Sequence, residues 1–167
     1  MWRKFYPKQR KESAYQVDYE AFARSGYRGI LFDIDNTLVP HGAPATPEAI
    51  ALFQRLRRLG FRTCLLSNNH EPRVRPFAEA VGSEFLCDAH KPSVRGYEAA
   101  MERIGTSKKD TLLIGDQLFT DVYGANRAGL TSILVNPIHP KEEIQIVLKR
   151  KLERIVLYFY CRQEKNS

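Results

Sequence analysis

The sequence predicts a three-layer α/β/α domain built on a mainly parallel sheet, and three observations lead there. Five short apolar runs rich in β-branched residues recur along the chain, helical patterns alternate with them, and polar residues gather where the runs end. The runs are "GILFDID" from Gly29, "RTCLLSNN" from Arg62, "SEFLCDA" from Ser83, "TLLIGDQ" from Thr111 and "TSILVNP" from Thr131. Strands joined by helices pair in parallel and are covered on both faces, which explains why the runs are apolar on both alternating sides.

The connections read as helices. In "TPEAIALFQRLRRLG", Thr46 is placed to cap, Pro47 takes the first helical position, Gly60 stops the helix, and Ile50, Phe53, Leu56 and Leu59 share one face. "EPRVRPFAEAVG" and "PSVRGYEAAMERIG" repeat the pattern, and "TDVYGANRAG" is the fourth, with Thr120 as its cap. The last segment places Ile144, Leu148, Leu152, Ile155 and Phe159 at steps of three and four, with Lys149, Arg150 and Arg154 opposite. That spacing predicts a helix packed on the sheet by its apolar face; a basic amphipathic helix resting on lipid is the alternative.

At 167 residues the chain has the length of one domain, here 1–167. No window approaches the roughly 20 apolar residues of a membrane-spanning helix. The basic start "MWRKFYPKQRK" has no apolar signal core behind it, so a cytoplasmic protein is expected. Cys64, Cys87 and Cys161 form no CxxC pair, and Cys64 and Cys87 read as buried thiols. The net charge of +7 is unevenly spread. Residues 1–28, a basic N-terminal extension, hold seven Lys/Arg against three acids, and the helix of 141–167 holds seven against four. Residues 29–140 are balanced, so the excess lies at the two ends. Basic ends suit a polyanion, either an anionic membrane surface or nucleic acid, or serve solubility alone.

Ligands of parallel sheets bind beyond the carboxyl ends of the strands. The first run ends in Asp33, Asp35, Asn36 and Thr37, and the second in Ser67, Asn68 and Asn69. Lys91 follows the third, and Gly115 and Asp116 end the fourth, with Asp121 five residues on. Packing calls for no charges at four strand ends, whereas phosphoryl transfer to a carboxylate calls for these types. A phosphomonoester dianion repels Asp⁻, so a divalent cation on oxygen ligands and a fixed cation are needed; Asp33 and Asp116 suit the first and Lys91 the second. Asp35 is placed to protonate the leaving alkoxide and then to activate water. Asn36 and Asn68 suit turns as well as substrate contact, and His70 is near enough to "SNN" to reach a headgroup.

"DIDNTLV", "SNN", "KP" and "GDQLFTD" resemble, in order and spacing, the four motifs of the haloacid dehalogenase-like phosphatase superfamily. The resemblance implies a Rossmann-like sheet of five strands in the order 3-2-1-4-5. It implies that Asp33 is the nucleophile and Asp35 the acid/base, with Lys91 holding nucleophile and phosphoryl group. Thr37, Ser67, Asn68 and Lys91 then form the implied substrate-binding set, with Thr37 helping to fix the loop around the two acids. The metal implied is Mg²⁺, to be held by Asp33, the main-chain carbonyl of Asp35, and Asp116, with Asp121 supporting its shell. The gaps after Leu38 and between Asn68 and Pro92 are too short for the cap domains that many members carry. Pro7, "VDYEAF", "FDIDNTLVP" and "GDQLFTDVYGANRAG" further resemble the capless subfamily IIIA phosphatases of the YqeG type, related to phosphatidylglycerophosphate phosphatases. The implied substrate is an anionic lipid phosphate, with peripheral contact at the inner face of a membrane. The alternatives are a soluble nucleotide or sugar phosphatase, or a non-catalytic module that binds phosphate or RNA.

Overall fold

The structure is a computed structural model that describes residues 2–139 and 144–164, with residues 144–147 described by backbone alone. After a 3₁₀ turn at Trp2–Phe5 come β1 (Gln9–Lys11), α1 (Tyr19–Arg24), β2 (Gly29–Phe32) and α2 (Pro47–Arg58). β3 (Arg62–Leu66), α3 (Glu71–Val81), β4 (Glu84–Leu86) and α4 (Val94–Ile104) follow. The chain continues through β5 (Thr111–Gly115), a π-helical turn at Leu118–Val122, α5 (Tyr123–Ala128), β6 (Thr131–Val135) and α6 (Ile144–Glu164).

All pairings in the sheet are parallel, in the order β1-β6-β5-β2-β3-β4. The five expected strands take the expected order, and the expectation of five is corrected to six. The addition is β1, which joins the β6 edge with Arg10 opposite Leu134. Its three polar residues carry no strand pattern; the open edge of β6 supplies the partner.

Alternation within the strands builds two core layers. Ile30, Phe32, Leu65, Leu112 and Ile114 pack with α2 and α3 on one face, while Leu31, Cys64, Leu66 and Leu113 pack with α4 and α5 on the other. Cys64 is buried as expected, but Cys87 is only partly so. Thr46 caps α2 by accepting from Ala49 N at 3.1 Å, and Asp18 caps α1 by accepting from Ala21 N at 2.9 Å. Thr120 is not a cap: Gln117 precedes the π turn, and the Thr120 hydroxyl donates to Gln117 Oε1 at 3.1 Å. No inserted domain separates β2 from α2, or β3 from α4, where only α3 and β4 intervene.

α6 is a helix, but its rotation differs from the expected one. Leu148, Leu152, Ile155 and Phe159 are 62, 52, 51 and 43% exposed, while Glu153, Val156 and Tyr160 are buried. Polar contacts account for this orientation. Glu153 accepts from the main-chain N–H of Leu118 at 2.8 Å, and Arg150 bonds the main-chain carbonyl and the carboxylate of Asp116. Burying those groups unpaired would cost more than leaving an apolar stripe in water. The side chain of Ile144 and the whole of residues 141–143 and 165–167 lie outside the described residues.

Candidate active site

The loop after β2 is set by its backbone. Asp33 N donates to Ile114 O at 3.0 Å, so Asp33 leaves the sheet in register with β5. Ile34 O accepts from Thr37 N and Leu38 N, while Asn36, at φ 60°, donates its N–H to Val39 O at 2.7 Å. A left-handed residue closes this turn, and Asn tolerates that conformation better than most side chains. The N-terminal extension braces it, since the Tyr15 hydroxyl donates to Leu38 O at 2.6 Å.

Four strand ends then converge. Lys91 Nζ donates to Asp33 Oδ1 and to Asp121 Oδ1, each at 2.7 Å, with the lysine side chain only 4% exposed. The Thr37 hydroxyl lies 3.1 Å from Asp116 Oδ1 and 3.3 Å from Asp33 Oδ2, tying the first motif to the fourth. Asp121 reaches inward because residue 115 is glycine: a Cβ there would lie 2.5 Å from the Asp121 carboxyl carbon. Ser67 Oγ accepts from Asn69 N at 3.0 Å, and its hydrogen has no acceptor among the described residues. Asn68 turns both ends of its amide to the main chain of Lys91, accepting from Lys91 N at 2.7 Å and donating to Lys91 O at 3.3 Å. It thereby braces the backbone of the lysine.

Asp33, Asp116 and Asp121 each present a carboxylate oxygen within 4.8 Å of the others, and all three are buried. Burial pushes the Asp33 carboxyl up, against the pull of Lys91 and with help from the Asp116 charge, to about 6. Asp116 is raised to about 6 by burial and by Asp121, against Arg150, and burial also raises Asp121. Burial would lower Lys91, but Asp121 and Asp33 outweigh it, so the ammonium stays protonated. Four buried acids, Asp33, Asp116, Asp121 and Glu153, share two cations, Lys91 and Arg150, so negative charge is left uncompensated. An oxygen-only donor set with surplus negative charge fits a hard divalent cation such as Mg²⁺.

The Asp35 carboxylate lies outside this trio. It accepts from Asn69 Nδ2 at 2.6 Å, Arg73 at 2.8 Å and Gly42 N at 2.8 Å. Burial raises its pKa, but Arg73 and the Gly42 N–H outweigh that and hold it below the ordinary value. Only its main-chain carbonyl is left for the metal role expected of it. His70 does not enter the site: it is largely exposed, with Nδ1 2.6 Å from Asp88. Sequence reasoning missed Arg73 and Arg150. Arg73 lies on α3 one turn beyond "SNN", a placement that could have flagged it; Arg150 belongs to α6, whose docking no local pattern encodes.

A parallel sheet with buried acids and one lysine at its carboxyl edge defines a class, and comparison with known proteins agrees. Residues 41–129 match the family model described as haloacid dehalogenase-like hydrolase. The chain is 35% identical to the probable phosphatase YqeG of Bacillus subtilis, across 94% of this chain and 92% of that protein. It is 26% identical to phosphatidylglycerophosphate phosphatase 1 of Arabidopsis thaliana, across 88% of this chain but only 45% of that longer protein. Among solved structures, an uncharacterized protein from Corynebacterium glutamicum superposes with a TM-score of 0.54 at 23% identity, over 78% of this chain and 93% of that one. The protein belongs to the haloacid dehalogenase-like hydrolases. Within that family its relatives mark it as a phosphatase.

Proposed function

We propose that the protein hydrolyses phosphomonoesters through an aspartyl-phosphate on Asp33. The observation that carries this reading is Lys91, buried and shared between Asp33 and Asp121 beside the acid trio. Asp33 is the nucleophile, held on a short rigid strand end with its partner cation already in place. Lys91 and the free hydroxyl hydrogen of Ser67 take the transferring oxygens. Asp35 is the acid/base: it takes up a proton from solvent when the incoming ester displaces its contacts with Arg73 and Asn69, passes that proton to the leaving alkoxide, and as the carboxylate so regenerated accepts one from the attacking water. Asp33, Asp116, Asp121 and the Asp35 carbonyl would hold Mg²⁺, which when bound would supply Lewis acidity toward the phosphoryl oxygens.

The metal assignment has a thermal test. Asp33 and Asp116 are raised to about 6 in the folded state. The folded protein therefore binds more protons than the unfolded chain between about pH 4 and 6, and without metal these groups lose stability as pH rises through that window. Mg²⁺ binds the ionised acids, so its stabilisation grows over the same range. At 100 times its Kd it adds about 2.7 kcal/mol, or roughly 5–11 °C in Tm. Melting with Mg²⁺ and with chelator at pH 5 and 7.5 should show the larger difference at 7.5; no Mg²⁺ shift at either pH rejects the site.

We further propose an anionic lipid phosphate, of the phosphatidylglycerophosphate kind, as substrate. An uncapped site, basic ends and the plant relative's substrate support this. So does α6, a helix with a net positive charge that exposes Leu148, Leu152, Ile155 and Phe159, a pattern that fits an anionic bilayer. No helix among the described residues is long and apolar enough to cross a membrane, so contact would be peripheral. The test compares turnover of the lipid in phosphatidylglycerol vesicles with that of nucleotides and sugar phosphates, each with and without Mg²⁺. The double variant Leu152→Glu/Ile155→Glu should bind such vesicles at least about tenfold more weakly, since each side chain contributes roughly 1.5–3 kcal/mol when buried. Its turnover of p-nitrophenyl phosphate should stay within about twofold. Efficient hydrolysis of soluble phosphates with the lipid ignored would reject the substrate.

A further inference from the structure

We propose that the cavity beside the acid trio binds a second anionic group of the substrate, a phosphodiester carried on the same molecule as the scissile phosphomonoester. The proposal rests on the phosphatase reading above and specifies which phosphomonoesters the site prefers. The cavity measures about 350 Å³ and lies between the β1–β6 edge and α6, with Asp116 in its wall. Arg10, Arg150, Lys151 and Arg154 line it, together with Asn136. Its two acids, Asp116 and Glu153, are both already bonded to Arg150. Arg10, Lys151 and Arg154 meet no carboxylate among the described residues, and Arg10 donates to Cys161 Sγ at 3.6 Å. Four cations against two acids thus leave a net charge of +2 on the lining of a hollow whose wall includes Asp116 of the trio.

The chemistry of the lining selects the ligand. Arginine forks match phosphate oxygens, so an anion with several acceptor oxygens suits them better than chloride or a lone carboxylate. Leu134, Val135, Pro137 and Leu157 supply an apolar remainder. A free phosphate dianion has nothing to place against such a wall, whereas a phosphodiester carries an organic group on each side of its single charge. The volume is at the lower end of what small-ligand sites use and holds a glycerol-linked phosphodiester without an acyl chain. Arg150 bonds Asp116 of the trio and also lines the cavity, so the two anionic groups of one substrate would be linked through it. The sixth strand gains a role here: β1 carries Arg10 to the cavity, a part of the site that the motifs of residues 33–121 do not contain.

The experiment uses the full chain and the variants Arg10→Gln, Arg154→Gln and their double. The probes are p-nitrophenyl phosphate, glycerol 3-phosphate, and a water-soluble glycerol phosphodiester bearing a terminal phosphomonoester, the last also presented as its diacyl lipid in vesicles. Each single variant should raise KM for the soluble two-phosphate compound by about tenfold, with kcat within about twofold, as loss of one charge-assisted contact requires. The one-phosphate substrates should be unaffected, and the diacyl lipid should follow the soluble compound. Calorimetry on Asp33→Asn and Asp33→Asn/Arg154→Gln reads the same tenfold change in Kd without turnover. Equal losses on all substrates would show a diffuse field effect, and losses confined to vesicles would show that the cations read the lipid surface; either overturns the subsite, as does no change at all. If no phosphate ester is turned over but calorimetry shows the difference, the catalytic reading fails while the cavity assignment stands.

Discussion

Replacing Asp33 by Asn is expected to abolish turnover while leaving the protein folded. The amide keeps the shape of the carboxylate and an oxygen able to accept from Lys91, which stands 2.7 Å from Asp33 Oδ1 in the native chain. It lacks the charge and nucleophilicity that bond formation to phosphorus needs. Loss of a nucleophile that acts with its neighbours as a unit costs about three orders of magnitude or more in kcat. Stability should move the other way. Asp33 is one of three buried carboxylates that repel one another, and its carboxyl is already pushed up to about 6. Neutralising it relieves that repulsion, so the metal-free variant should melt at or above the wild-type temperature at pH 7.5, and no higher than wild type at pH 4, where the native acid is itself protonated. Turnover of p-nitrophenyl phosphate and thermal melting at the two pH values check both halves. A kcat above about a hundredth of the native value would exclude a covalent role for Asp33.

The parts of the site that are legible in the sequence are those a strand delivers. Asp33, Ser67, Lys91 and Asp116 each follow an apolar run, and a parallel sheet brings such residues to one edge whatever the loops do. Asp121 is legible because it follows Asp116 closely, and the geometry adds why Gly115 must precede them. What could not be read depends on pairings between distant segments. Gln9–Lys11 is polar and short, and becomes a strand only because β6 leaves an edge for it. In α6 the apolar spacing correctly marks a helix but misplaces its buried face. One carboxylate, Glu153, and one guanidinium, Arg150, find buried partners on the loop after β5 and set the rotation. Asn68 illustrates the same limit on a smaller scale: its type suits a ligand or a brace, and only the position of the Lys91 backbone reveals the brace.

Lys91→Met is expected to remove both activity and a large part of the stability, and the pH dependence separates electrostatics from packing. Methionine fills a similar volume, so the core around Tyr97 and the strand ends need not collapse. Its loss of charge leaves Asp33 and Asp121, both buried, facing each other without the ammonium that each contacts at 2.7 Å. Removing one partner from a buried ion pair typically costs about 3–5 kcal/mol, because the remaining charge has lost its solvation and gains nothing in return. For a domain of this size that is roughly 6–20 °C in Tm. The sign with pH follows from the acids left behind. Burial already raises both above the ordinary carboxylate value, and without Lys91 both rise further. Folded Lys91→Met therefore holds more protons than its unfolded chain, and its stability falls as pH increases from the unfolded carboxylate range through the raised native one. Denaturant unfolding in chelator should show a small deficit relative to wild type near pH 4.5 and the full deficit at pH 7.5 and above. Equal deficits at both would mean that the lysine acts through packing alone. At pH 7.5 with Mg²⁺, kcat should fall by about a hundredfold or more, since the transferring oxygens lose their fixed cation in a site where little water can replace it.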